Sequence, residues 1–292
     1  MSVLTSFEAV PNRMRDIYEF VRNSGSPQDK TNLRNLFMPP SKRPTNSSAL
    51  FDNALKECVN LGLLIDDDKV HLSEYALDHA EADFKSVVTS VMFNVDAAQN
   101  AKHEKFLNSL AWLMTLDPGE PLDFSETITT EISASLGENK SLTEISTNIS
   151  SLQNLYYWAV YLGFGNFIGG INKRTNEAKN IFLPNPTAVI EDKLDLIFRA
   201  ETSLKINEFI QRLGELIPVL DRGEVRNRIH AAMSSHLKLT DENLSITTSY
   251  ALKMLFFKKR IELSNSADAN GLILNFGNAA QNERVSDIRK IS

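Results

Sequence analysis

The side chains of this chain best suited to chemistry are cations, and the chemistry they suit is gripping phosphate. Lys258-Lys259-Arg260 is the densest run, preceded by Arg222, Arg226, Arg228 and Lys253. A second group, Lys173, Arg174 and Lys179, falls in and beside a loop between two short apolar runs. A third, Lys42, Arg43 and Lys56, lies near the N-terminus. Lys and Arg contact phosphate oxygens, while Asn, Gln, Ser and Thr read base edges. Six such charges on DNA would make affinity fall with salt by about 0.9 log units per contact per decade. The alternative is that these are solvated helix faces.

Other chemistry is hard to assemble. There is no phosphate-cradling G-x-x-x-x-G-K-[ST] motif. Gly163-Phe164-Gly165 and Gly169-Gly170 lead into a strand, so no helix N-terminus is offered to a nucleotide. The histidines, at 71, 79, 103, 230 and 236, include no pair at the i, i+4 spacing of a helical metal site. Asp221, Glu224 and Arg226 loosely resemble a nuclease acid–acid–base set, but they open a helix, and Asp221 reads as its N-cap. Asp66-Asp67-Asp68 reads as a solvated turn, because one consecutive run cannot wrap an ion. Cys58 falls on an apolar helix face, and no nucleophile elbow is present. No catalytic residue, metal ligand or cofactor is therefore assigned, and the chain is expected not to be an enzyme. A nuclease with an unrecognised site remains the competing catalytic reading.

The elements that must position these cations follow one pattern three times. Helix-compatible segments lead into a short apolar run, a polar loop and a second short apolar run. The pattern appears at 54–72, 157–183 and 251–274. A helical trio that closes with a hairpin is the order of a winged helix, whose third helix enters the major groove. The expected fold is mostly α with short β-hairpins, arranged as tandem winged-helix domains. The expected domains are a winged helix over 1–80, a helical connector plus a winged-helix-like domain over 81–190, a winged-helix-like domain over 191–276, and a polar C-terminal tail over 277–292.

Within these domains the apolar spacing predicts a helix over 12–23 with Ile17, Phe20 and Val21 inward, and a second opened by Ser26-Pro27 with Leu33, Leu36 and Phe37 inward. A third helix opens at Ser47. Ser141 with Glu144 reads as a capping box, and 194–198 as a linker helix. In the last domain Thr247, Thr248 and Lys253 are expected to face outward from the third helix, which makes this domain the best candidate for nucleic acid.

Composition fits a soluble globular chain, with 42% hydrophobic and 23% charged residues. No apolar run approaches the ~20 residues needed to span a bilayer. Residues 1–10 lack the basic start and apolar core of a secretory signal, so the expected location is the cytoplasm, with no membrane contact. The single cysteine excludes an intramolecular disulfide. The net charge of −6 is unevenly spread: +2 over 1–60, −11 over 61–150 and +4 over 199–260. An acidic middle with mildly basic ends could orient the chain on a polyanion, though the field is modest.

Three stretches carry a family resemblance: Phe7-Glu8-Ala9-Val10-Pro11-Asn12-Arg13-Met14, Phe51-Asp52-Asn53-Ala54-Leu55, and Leu61-Gly62-Leu63-Leu64 with its acidic turn. Together they resemble the DpdG family, a component of bacterial islands that insert 7-deazaguanine derivatives into DNA. The resemblance implies a role in a restriction or antiviral defence complex, alongside other subunits and double-stranded DNA. It carries over no catalytic residue. In a different class, the acidic 61–150 stretch is similar to tandem winged-helix adaptors of the MukE and ScpB kind, which clamp a kleisin-type protein.

Overall fold

The structure is a computed structural model that describes residues 9–38, 49–94, 103–120, 122–123, 127–143, 149–171, 178–235, 238–266 and 270–291. The chain is mostly helical with small antiparallel strand pairings. It forms two compact units: Met1–Phe106 with Asn148–Tyr161, and Leu107–Thr147 with Leu162–Ser292.

The first unit opens with α1 (Pro11–Ser24), α2 (Lys30–Phe37) and α3 (Ala49–Asn60). Pro11 starts α1 with a pre-set φ, and Gly25 ends it at φ 62, a left-handed conformation that glycine adopts without steric cost. Met14, Ile17, Tyr18 and Val21 recur at i, i+3, i+4 and i+7 and are buried, as are Ala54, Leu55 and Cys58 of α3. Phe20 and Leu36 are exposed instead, so the inward stripes of α1 and α2 are narrower than the spacing implied. The expected helix start at Ser26-Pro27 is displaced to Asp29, whose carboxylate accepts the Asn32 N–H at 2.9 Å. The reason lies at Gln28, whose backbone exchanges two hydrogen bonds with Val70 at 2.8 Å each and so must stay extended.

The hairpin of β1 (Leu64–Asp66) and β2 (Val70–Leu72) follows, with Leu64 opposite Leu72 and Asp66 opposite Val70. Then come α4 (Glu74–Asp78) and α5 (Phe84–Phe93), each opened by a side-chain cap, Ser73 and Asp83.

Next in the chain are α6 (Glu104–Leu113), β3 (Leu122–Asp123), α7 (Thr127–Leu136), a 3-10 turn (Gly137–Leu142) and α8 (Ile149–Leu162). The helix expected to start at Ser141 does not, because Ser141 belongs to the 3-10 turn. Its proposed partner Glu144 lies outside the described residues, as does Ser47. Within the first unit the Trp158 indole N–H donates to the Ala9 carbonyl at 3.1 Å, and its ring meets Phe106 edge-on.

In the second unit β4 (Gly165–Ile171) and β5 (Ala178–Pro184) form the longest hairpin, and β3 pairs with the outer side of β5. After it come α9 (Thr187–Phe198), β6 (Ser203–Lys205), α10 (Ile206–Leu216), α11 (Glu224–Ala232), α12 (Ile246–Phe257), β7 (Ile261–Ser264), β8 (Leu272–Leu274), β9 (Glu283–Val285) and β10 (Asp287–Lys290). The segment read as a linker helix is the end of α9, a core helix that packs on α10 and α12, with Phe198 5.6 Å from Phe209.

Two corrections fall at the C-terminus. β7 pairs not with β8 but with β10, and β8 pairs with β9. The segment read as a polar tail therefore contains the central strand of a three-stranded sheet, β6–β10–β7. Only Val285 and Ile288 of its apolar residues are buried, so the stretch looks polar in sequence while its backbone is paired on both sides.

One strand order recurs. Gln28, β2 and β1 lie in that order, as do β3, β5 and β4, and then β6, β10 and β7. In each set the strand that comes last in sequence sits in the middle.

Candidate interaction face

The third helix of the last set, α12, is where the outward face matters most. Ser245 caps it, its hydroxyl accepting the Thr248 N–H. Thr247 and Thr248 are not outward. Both are buried, and the Thr247 hydroxyl donates to the Met114 carbonyl at 2.6 Å. The first turn thus faces inward with its hydroxyls satisfied, and the remaining helix turns an apolar face to solvent. Tyr250, Met254 and Phe257 recur at i, i+4 and i+7 and are exposed, Phe257 to 65%. Phe256 adds a fourth large exposed apolar side chain, and Tyr250 meets the Phe276 ring edge-on at 5.3 Å.

The cations around this face are mostly committed. Lys253 lies 2.7 Å from Glu283 and sits over the Phe256 and Phe257 rings, 5.2 and 5.6 Å from their centroids. Lys258 and Arg260 converge on Glu191 of α9 at 2.8 and 3.0 Å. Lys259 is exposed, in a left-handed conformation at φ 56, and makes no ion pair among the described residues. All three basic residues follow the C-terminus of α12, where positive charge complements the open carbonyls.

The other proposed phosphate contacts are placed as follows. Arg228 pairs with Glu224 at 3.1 Å, and Arg222 donates to the Asp241 carbonyl at 2.7 Å. Arg226 is a correction, because its side chain is 5% exposed and cannot reach a phosphate. It instead lies beside Asp221 at 3.5 Å and donates to the Ala111 carbonyl at 3.2 Å. Asp221 in turn is not the cap of α11, whose N-cap is Gly223. Its carboxylate accepts the Ser245 N–H and hydroxyl, each at 2.9 Å. In the first unit Lys56 is exposed on α3, where Arg34 and Asp52 pair at 2.9 Å. Lys179 belongs to β5, with its backbone opposite Gly170. Lys42, Arg43, Lys173 and Arg174 lie outside the described residues.

The sequence conceals the aromatic face. In α12 the stripe of Tyr250, Met254 and Phe257 looks like a second core stripe, and a helix apolar all round is ordinarily read as buried. Among the described residues, no cluster of three His, Cys, Asp or Glu side chains is arranged to hold a metal ion. Among the same residues, no helix is long and apolar enough to cross a membrane.

These features describe a mostly helical chain with a recurrent three-strand order and an exposed aromatic helix face. The family model for DpdG-like proteins matches residues 1–269, and the chain belongs to that family. The matched span ends before β8, so the strand that centres the last sheet lies beyond it. No curated protein matches the chain, and no solved structure does.

Proposed function

We propose that this protein is a non-catalytic subunit of a bacterial restriction or anti-phage complex linked to 7-deazaguanine modification of DNA, and that it works chiefly as a scaffold. The membership in the DpdG-like family supports the context. The architecture we infer is three tandem winged helices. It is supported by the strand order shared by the three sets, each with its last strand in the middle.

The observation that carries the scaffolding role is the α12 face. A groove-reading helix presents polar and cationic side chains to base edges and phosphates. Here the outward residues are Tyr250, Met254 and Phe257, while Lys253 is paired with Glu283, and Lys258 and Arg260 share the single carboxylate of Glu191. Large exposed aromatic and Met side chains whose neighbouring cations are mostly paired are the composition of a protein-binding patch. The partner is a protein with a complementary apolar surface. This is the mode of adaptors of the MukE and ScpB kind, which the −11 charge of residues 61–150 also favours.

DNA contact is the second reading, favoured by Lys56 and Lys259, which make no ion pair among the described residues. A salt-titrated gel shift separates the two. Scaffolding predicts weak, sequence-independent retardation that Lys258→Glu, Lys259→Glu and Arg260→Glu together leave unchanged. A shift abolished by that triple variant would instead place DNA on this surface.

A further inference from the structure

Arg226 is more than nine-tenths buried, yet its guanidinium is only partly used. A guanidinium carries five N–H donors. One is given to the Ala111 carbonyl, and Nε lies near Asp221 at 3.5 Å. No other hydrogen bond from this side chain occurs among the described residues. Beside it opens a cavity of about 360 Å³ within the second unit, in the size range of small-molecule sites. Trp112, Leu116, Met233 and Ile246 supply its apolar wall, and the Trp112 indole N–H is already tied to the Ser135 hydroxyl at 2.8 Å.

Charge decides what could enter. Asp221 offsets Arg226. The Nε2 of His230 accepts the Leu239 N–H at 2.9 Å, which makes the ring neutral with its proton on Nδ1, and burial lowers its affinity for a second proton. That leaves Asp117 and Glu131 as the charges on the wall without an ion pair among the described residues. An anion would be repelled by them, and a cation would leave the Arg226 donors unused. A neutral molecule with a carbonyl beside an N–H satisfies both ends.

We propose that this cavity binds a neutral lactam heterocycle the size of a single nucleobase, its carbonyl oxygen accepting from Arg226 and its ring N–H donating to a wall carboxylate, foremost Glu131. The proposal is independent of the scaffolding role.

Inosine and adenosine make the test, because they differ only in the lactam edge that adenosine replaces with an amine and a bare ring nitrogen. Calorimetric titration of the full chain should show inosine binding at least about tenfold tighter than adenosine. Met233→Trp, which fills the cavity, and Glu131→Ala, which removes the rim acceptor, should each abolish or weaken inosine binding by about tenfold or more while circular dichroism stays native. Glu131 is exposed, so Glu131→Ala decides the matter if Met233→Trp fails to fold. No inosine binding up to about 10 mM, equal binding of adenosine, or wild-type inosine affinity in either folded variant would overturn the proposal.

Discussion

Gln28 and Val70 exchange both of their backbone hydrogen bonds, each 2.8 Å long, across 42 residues of chain. This single extended residue does for the first unit what β6 does for the last sheet: it adds an outer partner to the strand that arrives last. The helix that follows cannot start until Asp29, because Gln28 is held extended. The recurrence of the strand order rests on such small pairings, and they set the first prediction.

Removing the C-terminal strand should be costly. A chain ending at Gly277 leaves β6 and β7 without the strand between them, and Ile288 no longer fills the core. Ile288→Ala alone should cost about 2–5 kcal/mol. Urea unfolding reads the effect, and an unchanged midpoint in both variants would mean that 278–292 is a dispensable tail.

Helix α1 and the β1–β2 hairpin were legible in the sequence because Ile17 and Val21 repeat at helical spacing and three consecutive aspartates stand between two short, mainly apolar runs. Strand β10 was not, because a strand that buries one residue in four shows no alternation, and its stability comes from neighbours 80 residues away or more on one side. The site was legible only in part. Sequence shows that Lys258 and Arg260 are cations but not that Glu191 sits opposite both. It likewise could not show that Thr247 turns inward to a carbonyl while Phe257 turns out.

Glu57 is a buried carboxyl on α3, 1% exposed, with Oε2 lacking a partner among the described residues. Burial raises its pKa, and the neighbouring Asn60 amide only partly opposes this. The folded state therefore holds the proton better than the unfolded state, so this group's contribution to stability falls as pH rises from the ordinary carboxylate range through the raised pKa. Glu57→Gln should stabilise the protein at pH 7 by about 1 kcal/mol or more and flatten that slope. Thermal melts at pH 5 and pH 7 check it, and a variant less stable at pH 7 would contradict it.

His103 titrates the other way. Burial pushes its imidazole down to about 4, below the ordinary 6.5. Between those values the unfolded chain takes up the proton and the folded chain does not, so stability rises with pH across this window and is lost as pH falls through it. His103→Gln should remove much of the acid sensitivity between about pH 6.5 and pH 4, read from urea midpoints. An identical pH profile in variant and wild type would show that His103 is not the group responsible.

Thr247→Val keeps the shape of the side chain but removes the donor to the Met114 carbonyl at 2.6 Å. The buried acceptor is then unpaired, at a cost of about 1–3 kcal/mol. Denaturant unfolding measures it. A neutral effect would mean that the inward turn of α12 is fixed by packing alone.

The docking role of α12 is tested most directly by the mass of the assembly in solution. The chain is co-expressed with the products of its neighbouring genes, treated with nuclease and measured by light scattering after size exclusion. The wild type should run as a stoichiometric complex with a protein partner, while a Met254→Asp, Phe257→Asp variant of unchanged melting temperature should run alone. A wild-type chain that elutes alone, a complex that falls apart on nuclease treatment, or a variant that still assembles would contradict the account.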